Sequence, residues 1–313
     1  MRELIRRVVK YIPGYRGLDR YLRYRYTSNY DPEPYPRGHY YSPLPDISEV
    51  QSRAAFLFRK DINLGPSIDL KSEMQQQLLS KLAGYYCDFC WPEQPSKDFR
   101  FHLGQSVFCH GDAIILHAML RHFKPKRIIE AGSGFTSALM LDTSERFLQN
   151  RTHLTFIDPY PERLFSLLRD NDRQRCEIIT DKLQNAPLTL FQQLDADDIL
   201  FVDSTHVAKI GSDVNFILFD ILPLLKPGVL IHFHDVIWPF EYSLDWILGG
   251  KAWNEAYMLR AFLQYNSHFQ IVLFNSFAGY AFKPFMEANM PKFLENNGGS
   301  LWLRVSSKSP FAA

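Results

Sequence analysis

The sequence predicts an α/β protein: a doubly wound, mostly parallel sheet of seven strands with helices on both faces, preceded by an N-terminal extension. Two observations lead there. From about Gly111 onward, short runs that are apolar at nearly every position alternate with amphipathic stretches of helical period. Strands buried on both faces and their covering helices give that pattern. The strand-like runs also close on polar residues, and the first leads through "GSG" into a helix, which is how ligand sites arise at the carboxyl ends of such sheets.

Up to about Phe99 the chain is irregular and rich in Tyr, Pro and Arg ("YRYTSNYDPEPYPRGHYYSPLPD"), with one helical stretch from about Leu70 to Tyr86. We therefore expect residues 1–100 to form an extension or cap and residues 101–313 to form the sheet domain. "DAIILHAMLRHF" reads as a helix, "RIIEA" as the first strand, Thr136 to Leu148 as a helix and "LTFID" as the second strand. Helix Glu162 to Arg169, strand "CEIIT", helix "PLTLFQQL" and strand "DILFVD" follow. Helix Asp213 to Leu225, strand "GVLIHFH", helix Trp253 to Tyr265 and the strands "FQIVLFN" and "SLWLRV" complete the series.

With 46% hydrophobic and 22% charged residues in 313, the composition excludes a disordered or collagen-like chain. A net charge of +1 gives no overall electrostatic signature of a nucleic-acid partner. No apolar run reaches the ~18 residues of a membrane span, and the N-terminus lacks the features of a cleaved leader. A cytoplasmic protein is expected. Arg2, Arg6, Arg7, Lys10, Arg16, Arg20, Arg23 and Arg25 face only Glu3 and Asp19 in the first 26 residues, beside an apolar stripe of Leu4, Ile5, Val8 and Val9. That pattern is compatible with peripheral contact at an anionic lipid or glycan surface, although a solvated basic face with its stripe on the protein body is the plainer expectation. Cys109 and Cys176 stand alone, and the close pair Cys87 and Cys90 ("CDFC") is expected to be two ordinary thiols near an aromatic turn rather than a zinc or redox site.

In "RIIEAGSGFTSALML" an acid on the strand, Glu130, precedes Gly132 and Gly134 in the turn, and a helix opens at about Thr136. Glycines let the backbone turn tightly and approach a ligand, and the helix start offers free N–H donors. Asp158, closing the next strand, is placed to accept hydrogen bonds from ribose hydroxyls. Two cofactors compete for this geometry. A dinucleotide usually needs a third glycine where Ser137 stands, and Glu130 would set negative charge beside its phosphates. S-adenosylmethionine carries no phosphate and is cationic at its sulfonium and amino groups, so it fits better.

At this point the chain resembles the class I S-adenosylmethionine-dependent methyltransferases. "EAGSGFTS" is similar to their first motif and "FIDPYPERL" to their ribose-binding strand end. "DILFVDSTHVAKIGSDV" and "ILPLLKPGVLIHFHDV" resemble the fourth and fifth strands of the branch related to macrocin and catechol-type O-methyltransferases, and the likeness covers roughly residues 106–275. It implies a Rossmann-like methyltransferase sheet in which Glu130, Gly132, Ser133 and Gly134 surround the methionine part, Asp158 holds the ribose and Asp181 borders the adenine. In the metal-dependent branch a divalent cation, Mg²⁺ or Mn²⁺, would be held by Asp203, His234 and Asp235. His206, three residues after the fourth-strand acid, takes the place of the catalytic base. The chain departs from that branch in offering a histidine beside the aspartate at the fifth strand. Mg²⁺ prefers oxygen, whereas imidazole suits Mn²⁺, Fe²⁺ or Zn²⁺, so Asp203 and Asp235 are the safer ligands and His234 is free to orient substrate or take a proton.

Methyl transfer from a sulfonium requires the acceptor oxygen, methyl carbon and sulfur to line up, and an alcohol acceptor must also lose a proton. His206, with an ordinary pKa near 6.5, is expected to be the base, with Asp203 and His234 beside it. His232 is expected on the opposite face of the strand from His234, as a satisfied core or interface histidine. Trp238 and Glu241 are expected to touch the acceptor, and Tyr257 and Leu259 to be core. These readings give an O-methyltransferase acting on a sugar hydroxyl of a surface glycan or glycosylated metabolite, with a small-molecule or glycan partner and a homo-oligomer allowed. An NAD-linked oxidoreductase and a non-catalytic binding protein of the same fold are the alternatives.

Overall fold

The computed structural model describes residues 35–108 and 110–307. The basic segment within residues 1–26 and Cys109 lie outside the described residues. The chain divides into two compact units, 1–54 and 55–313. In the first, helix Ile47–Ser52 starts at Asp46, whose side chain accepts from the backbone N–H groups of Ser48 and Glu49. That is an ordinary N-cap, which satisfies two donors the helix itself cannot.

The second unit is built on a seven-stranded sheet of order β3-β2-β1-β4-β5-β7-β6. The strands are β1 (Arg127–Ala131), β2 (His153–Ile157), β3 (Cys176–Ile179), β4 (Ile199–Val202), β5 (Leu230–Phe233), β6 (Phe269–Phe274) and β7 (Leu301–Val305). The pairings from β3 through β5 are parallel, and β7 runs antiparallel to both β5 and β6. Every residue of β4 and β5 is buried, so each side chain of "ILFV" and "LIHF" needs a covering layer. One layer of core joins Ile129, Leu200, Val202, Ile231 and Leu303 to Val214, Ile217 and Leu259. The other joins Ile128, Phe156, Ile199, Phe201, Leu230 and Trp302 to two helices, α2 (His110–Phe123) and α3 (Phe135–Phe147). Successive strand residues face opposite layers, as the two-residue period of a strand demands.

The expected helix from Asp213 to Leu225 is instead a turn of α-helix (Asp213–Phe216), a π-turn (Ile217–Ile221) and a 3-10 turn (Leu222–Leu224). Pro223 lacks the N–H that a continuing helix needs. Helices Asn275–Ala281 and Lys283–Asn289, between β6 and β7, were not expected. Cys87 and Cys90 are exposed free thiols.

The structure puts residues 55–100 in the same unit as the sheet. The helix α1 (Ser72–Leu82) packs against β6, and Gln75 accepts from the Phe274 N–H at 2.9 Å through its amide oxygen. Arg100 is the firmest link. Its guanidinium, almost wholly buried, donates to Asp172 through Nε (2.7 Å) and Nη2 (2.6 Å), to Asp142 through Nη1 (2.7 Å), and to Glu145 (2.8 Å). Burial disfavours the Asp172 charge, but Arg100 outweighs it, and the same guanidinium holds Glu145 low; both carboxyls sit below their ordinary range. Because these native values are depressed, the stability they contribute is complete above the unfolded values near 4 and is lost as pH falls through the native ones. Arg100→Ala strands buried carboxylates and is expected to cost about 3–5 kcal/mol in urea unfolding at pH 7. That cost should shrink as the pH is lowered below ~4, where the carboxyls protonate; a cost independent of pH would contradict the ionic account.

Candidate functional site

Four parallel strands end level with one another. Ala131 pairs with Ile157 on one side and Val202 on the other, and Val202 pairs with Phe233. The ladder then runs one residue further. The N–H groups of Gly132, Asp203 and His234 donate to Ile157, Ala131 and Val202 carbonyls, each at 2.9 Å, and Asp158 N–H donates to Ile179 at 3.1 Å. Asp158, Gly132, Asp203 and His234 therefore stand in a row at the carboxyl edge, where the strand order reverses. A cleft of about 540 Å³ opens along this edge, its wall including Gly132, Ser133, Asp158, Asp203 and Ser204.

Gly132 has φ of +87°, and a Cβ there would lie 1.8 Å from the Asp203 carbonyl oxygen. Only glycine lets the turn pass so close to β4. Ser133 Oγ donates to Asp158 at 2.7 Å, and the other Asp158 oxygen accepts from the Tyr160 N–H at 2.8 Å. Glu130 sits elsewhere than expected. It is fully buried behind the turn, where the Thr136 and Ser137 hydroxyls donate to it, and burial raises its carboxyl to about 8 despite those bonds. Its carboxyl is not in the cleft wall, because the residue belongs to β1 and lies one layer below the turn. Ser137 Oγ also accepts the Gly134 N–H at 3.0 Å. Asp181 too stands aside: it is exposed, accepting from Lys182 N–H and Asn185 Nδ2, and its neighbours Lys182, Leu183 and Gln184 form that wall.

At the β4 and β5 end, histidines and carboxylates form one cluster. His206 Nδ1 donates to Glu255 at 2.9 Å, and its Nε2 lies 3.6 Å from Asp203 and 3.7 Å from Asp235. Its backbone carbonyl accepts from the N–H groups of Asn254 and Glu255, at the start of α4 (Glu255–Leu263). His234 presents Nδ1 to Asp203 at 3.3 Å and to Asp235 at 3.6 Å, and Nε2 to Asp112 at 3.4 Å. His206 and Asp235 both hold left-handed backbone, φ +59° and +58°, a conformation costly for residues with a Cβ and typical of over-determined sites.

Burial opposes the charge on each of these groups, and in Asp203, His206 and His234 the cluster outweighs it. His234 and His206 hold Asp203 far below the ordinary carboxylate range. Asp203 and Glu255 push His206 up to about 10, and Asp203 and Asp235 carry His234 well above its ordinary value. In Asp235 burial prevails and raises its pKa, against the pull of His234 and His206. The expectation of an ordinary His206 pKa near 6.5 is therefore corrected: its carboxylate neighbours raise it and favour the protonated ring.

Asp203, His234 and Asp235, the residues expected to hold a metal, are brought together at the ends of β4 and β5. Both nitrogens of His234 face carboxylates, and among the described residues no three His, Cys, Asp or Glu side chains are disposed to hold an ion. Other expectations also change. His232 is core as expected, fully buried with Nε2 on Ser300 Oγ at 2.8 Å. It is on the same face as His234, their rings 6.1 Å apart, because strand residues two apart share a face. Trp238 is core, packed on Phe277 and donating to the Lys60 carbonyl. Glu241 accepts from the Tyr257 hydroxyl. Tyr257 is exposed whereas Leu259 is buried. Trp253 instead lies against the His206 ring, 4.4 Å between centroids, with Trp246 5.3 Å beyond. Sequence reasoning missed Asp112 and Glu255 as partners of the two histidines. Neither belongs to a local motif, and only the fold brings them in.

Residues 129–236 match the model of a methyltransferase domain. An uncharacterized protein of Archaeoglobus fulgidus is 33% identical over 171 residues, 53% of this chain and 76% of its own length. Among solved structures, the chain resembles an S-adenosylhomocysteine-bound methyltransferase of Podospora anserina at 17% identity, over 85% of this chain and 99% of that one, with a TM-score of 0.40. It also resembles the O-methyltransferase TomG of Streptomyces achromogenes, solved with S-adenosylmethionine, at 14% identity, over 83% and 96%, with a TM-score of 0.39.

The glycine turn gives a direct test. Gly132→Ala combines a left-handed cost of about 1–2 kcal/mol with overpacking of about 1–3 kcal/mol, so a loss of about 2–5 kcal/mol is expected in urea unfolding. Gly211→Ala, at φ +72° with nothing within 4 Å of the added Cβ, should lose only the first part. Equal losses at the two positions would contradict a packing role for Gly132.

Proposed function

We propose, on the match of residues 129–236 to a methyltransferase domain, that the chain is an S-adenosylmethionine-dependent O-methyltransferase whose donor lies along the row of strand ends. The observation that carries this reading is the cleft that runs from Asp158 to Asp203 over the Gly132 turn. Asp158, at the end of β2, takes the ribose hydroxyls, and the Gly132 to Gly134 turn lies under the methionine part. The start of α3 favours a cofactor without phosphate, because the Ser137 hydroxyl already accepts from the Gly134 N–H and donates to Glu130. A pyrophosphate finds that donor occupied, which weighs against a dinucleotide.

The reacting end is then the cluster at Asp203. Methyl transfer forms an oxygen–carbon bond and breaks the carbon–sulfur bond, so the protein chiefly holds three atoms in line. The hydroxyl proton needs an acceptor, and His206 is the group placed for it. Glu255 fixes its Nδ1, leaving Nε2 toward Asp203 and Asp235. In the free protein the carboxylates favour a proton on that ring. A sulfonium arriving beside Asp203 brings opposing positive charge and loosens that proton, which readies His206 only once the donor is bound. Trp253 and Trp246, with the Lys251 ammonium 4.2 Å over each ring, offer the aromatic surface on which a sugar acceptor would lie.

Calorimetric titration with S-adenosylmethionine and, separately, NAD tests the cofactor. Only the methyl donor should bind, and Asp158→Ala should weaken it roughly 10- to 150-fold, the loss of one charge-assisted hydrogen bond of about 1.5–3 kcal/mol. Preference for NAD would sink the assignment. With labelled methyl followed into a panel of sugar glycosides, His206→Asn should lower kcat by about 10²- to 10⁴-fold. Because Asp203, Asp235 and Glu255 all face His206, wild-type kcat/KM should keep rising above the ordinary histidine value of ~6.5. A profile that levels off near that value, or one that His206→Asn leaves unchanged, would remove His206 from the role.

A further inference from the structure

We infer that the acceptor is an acidic sugar, with a carboxylate or phosphate near the hydroxyl to be methylated, and that Lys251 is the residue that reads this charge. The inference rests on the O-methyltransferase reading and names the substrate class of the same site. It begins with the loop "GGKAW" (residues 249–253). The N–H groups of Gly249, Gly250 and Lys251 donate to the Asp245, Ile247 and Trp246 carbonyls at 2.8, 3.0 and 3.0 Å, so the chain folds back over the end of helix Leu244–Leu248. Gly250 allows the return at φ +88°, a conformation that glycine holds without strain. The Lys251 ammonium is thereby set 4.2 Å from the ring centroids of both Trp246 and Trp253. Indole faces draw a cation, so a side chain that would otherwise wander in water is held in one place.

The held charge is joined to the reacting group. Trp253 also lies 4.4 Å from the His206 ring, so one indole touches both the ammonium and the base. The two segments are tied through Asn254, whose side chain accepts the Ala208 N–H at 2.6 Å and donates to the Ala208 carbonyl at 3.2 Å, while its N–H donates to the His206 carbonyl at 3.1 Å. Among the described residues no carboxylate pairs with Lys251. Glu241 instead accepts from Tyr257 and from the Tyr242 N–H. Lys209, three residues past His206 in the cleft wall, is likewise unpaired. Two uncompensated cations thus flank the approach to a cluster of carboxylates. That order of charge suits an acceptor that is anionic at one point and neutral at the reacting one. Asp203, Asp235 and Glu255 repel its anion, Lys251 takes it, and the hydroxyl is left directed at His206. An amino sugar would meet like charge at the indoles, and a neutral sugar would leave the ammonium unanswered.

Matched oligosaccharides test the assignment. Glucuronan oligosaccharides, the same chains with their carboxyls reduced to alcohols, a 6-phosphorylated form of the reduced chains and chitosan oligosaccharides are titrated by calorimetry into the full chain, with and without S-adenosylhomocysteine. We expect a carboxylated or phosphorylated member to bind roughly 5- to 30-fold more tightly than the neutral one, the size of a charge-assisted bond to a part-exposed group, and the amino member to bind most weakly. Lys251→Gln should abolish the gap, and Lys251→Arg, which keeps charge and stacking, should preserve it. A merely structural lysine would instead weaken all four members alike. Added salt should narrow the wild-type gap, a result that stands whether or not a variant folds. Equal affinity for acidic and neutral members, tighter binding of the amino member, a gap that survives Lys251→Gln, or no binding of either acidic member would overturn the inference. Failure of S-adenosylmethionine to bind the same preparations would instead strike the methyltransferase reading and leave the oligosaccharide result standing.

Discussion

The level ending of β2, β1, β4 and β5 is the constraint on which the site depends. Parallel strands in register deliver their next residues side by side, and here the ladder continues one step, so the backbones of Asp158, Gly132, Asp203 and His234 are fixed by hydrogen bonds before their side chains meet a ligand. The spacing between neighbours is then the strand spacing of ~4.8 Å. A slip of one residue in any pairing would turn that strand's terminal side chain to the other face. The buried, apolar strands on either layer make such a slip costly, so core packing and site geometry are enforced by the same contacts.

The second organising feature is charge. Asp112, Asp203, Asp235 and Glu255 meet two histidines in a largely buried place. Isolated, any of these groups would be driven to neutrality by burial. Together they hold opposite charges in place, and breaking one pair leaves its partner uncompensated. His206 and Asp235 hold left-handed backbone at the same place. Such a cluster is a preorganised electrostatic environment, set before a substrate arrives, and that is the arrangement most useful for a reaction in which a positive sulfonium is consumed.

Much of this was legible in the sequence because it is local. "RIIEA", "LTFI", "ILFV" and "LIHF" declare buried parallel strands, and each strand end announced its polar residue; Gly132, Asp158, Asp203 and His234 all stand where the pattern put them. What failed was information that a strand carries only about itself. Glu130 reads as an acid beside a glycine turn, yet its place inside the strand turns it into the core. Asp181 ends its strand but turns to Asn185 instead of the cleft. Trp238 reads as an acceptor contact in the loop after the fifth strand and is buried against residues 60 and 277, far off in sequence. Above all, Asp112 and Glu255 decide what the two histidines are, and each reaches the site from a helix with no motif to mark it. Their effect on the protons of His206 and His234 is a property of the assembled cluster alone.

A crystal structure of the protein with S-adenosylhomocysteine tests the central claim most directly. The account predicts the ribose hydroxyls within hydrogen-bonding distance of Asp158, the methionine part over the Gly132 turn and the sulfur facing Asp203 and His206. A ligand bound elsewhere, or one whose sulfur points away from that cluster, would contradict it.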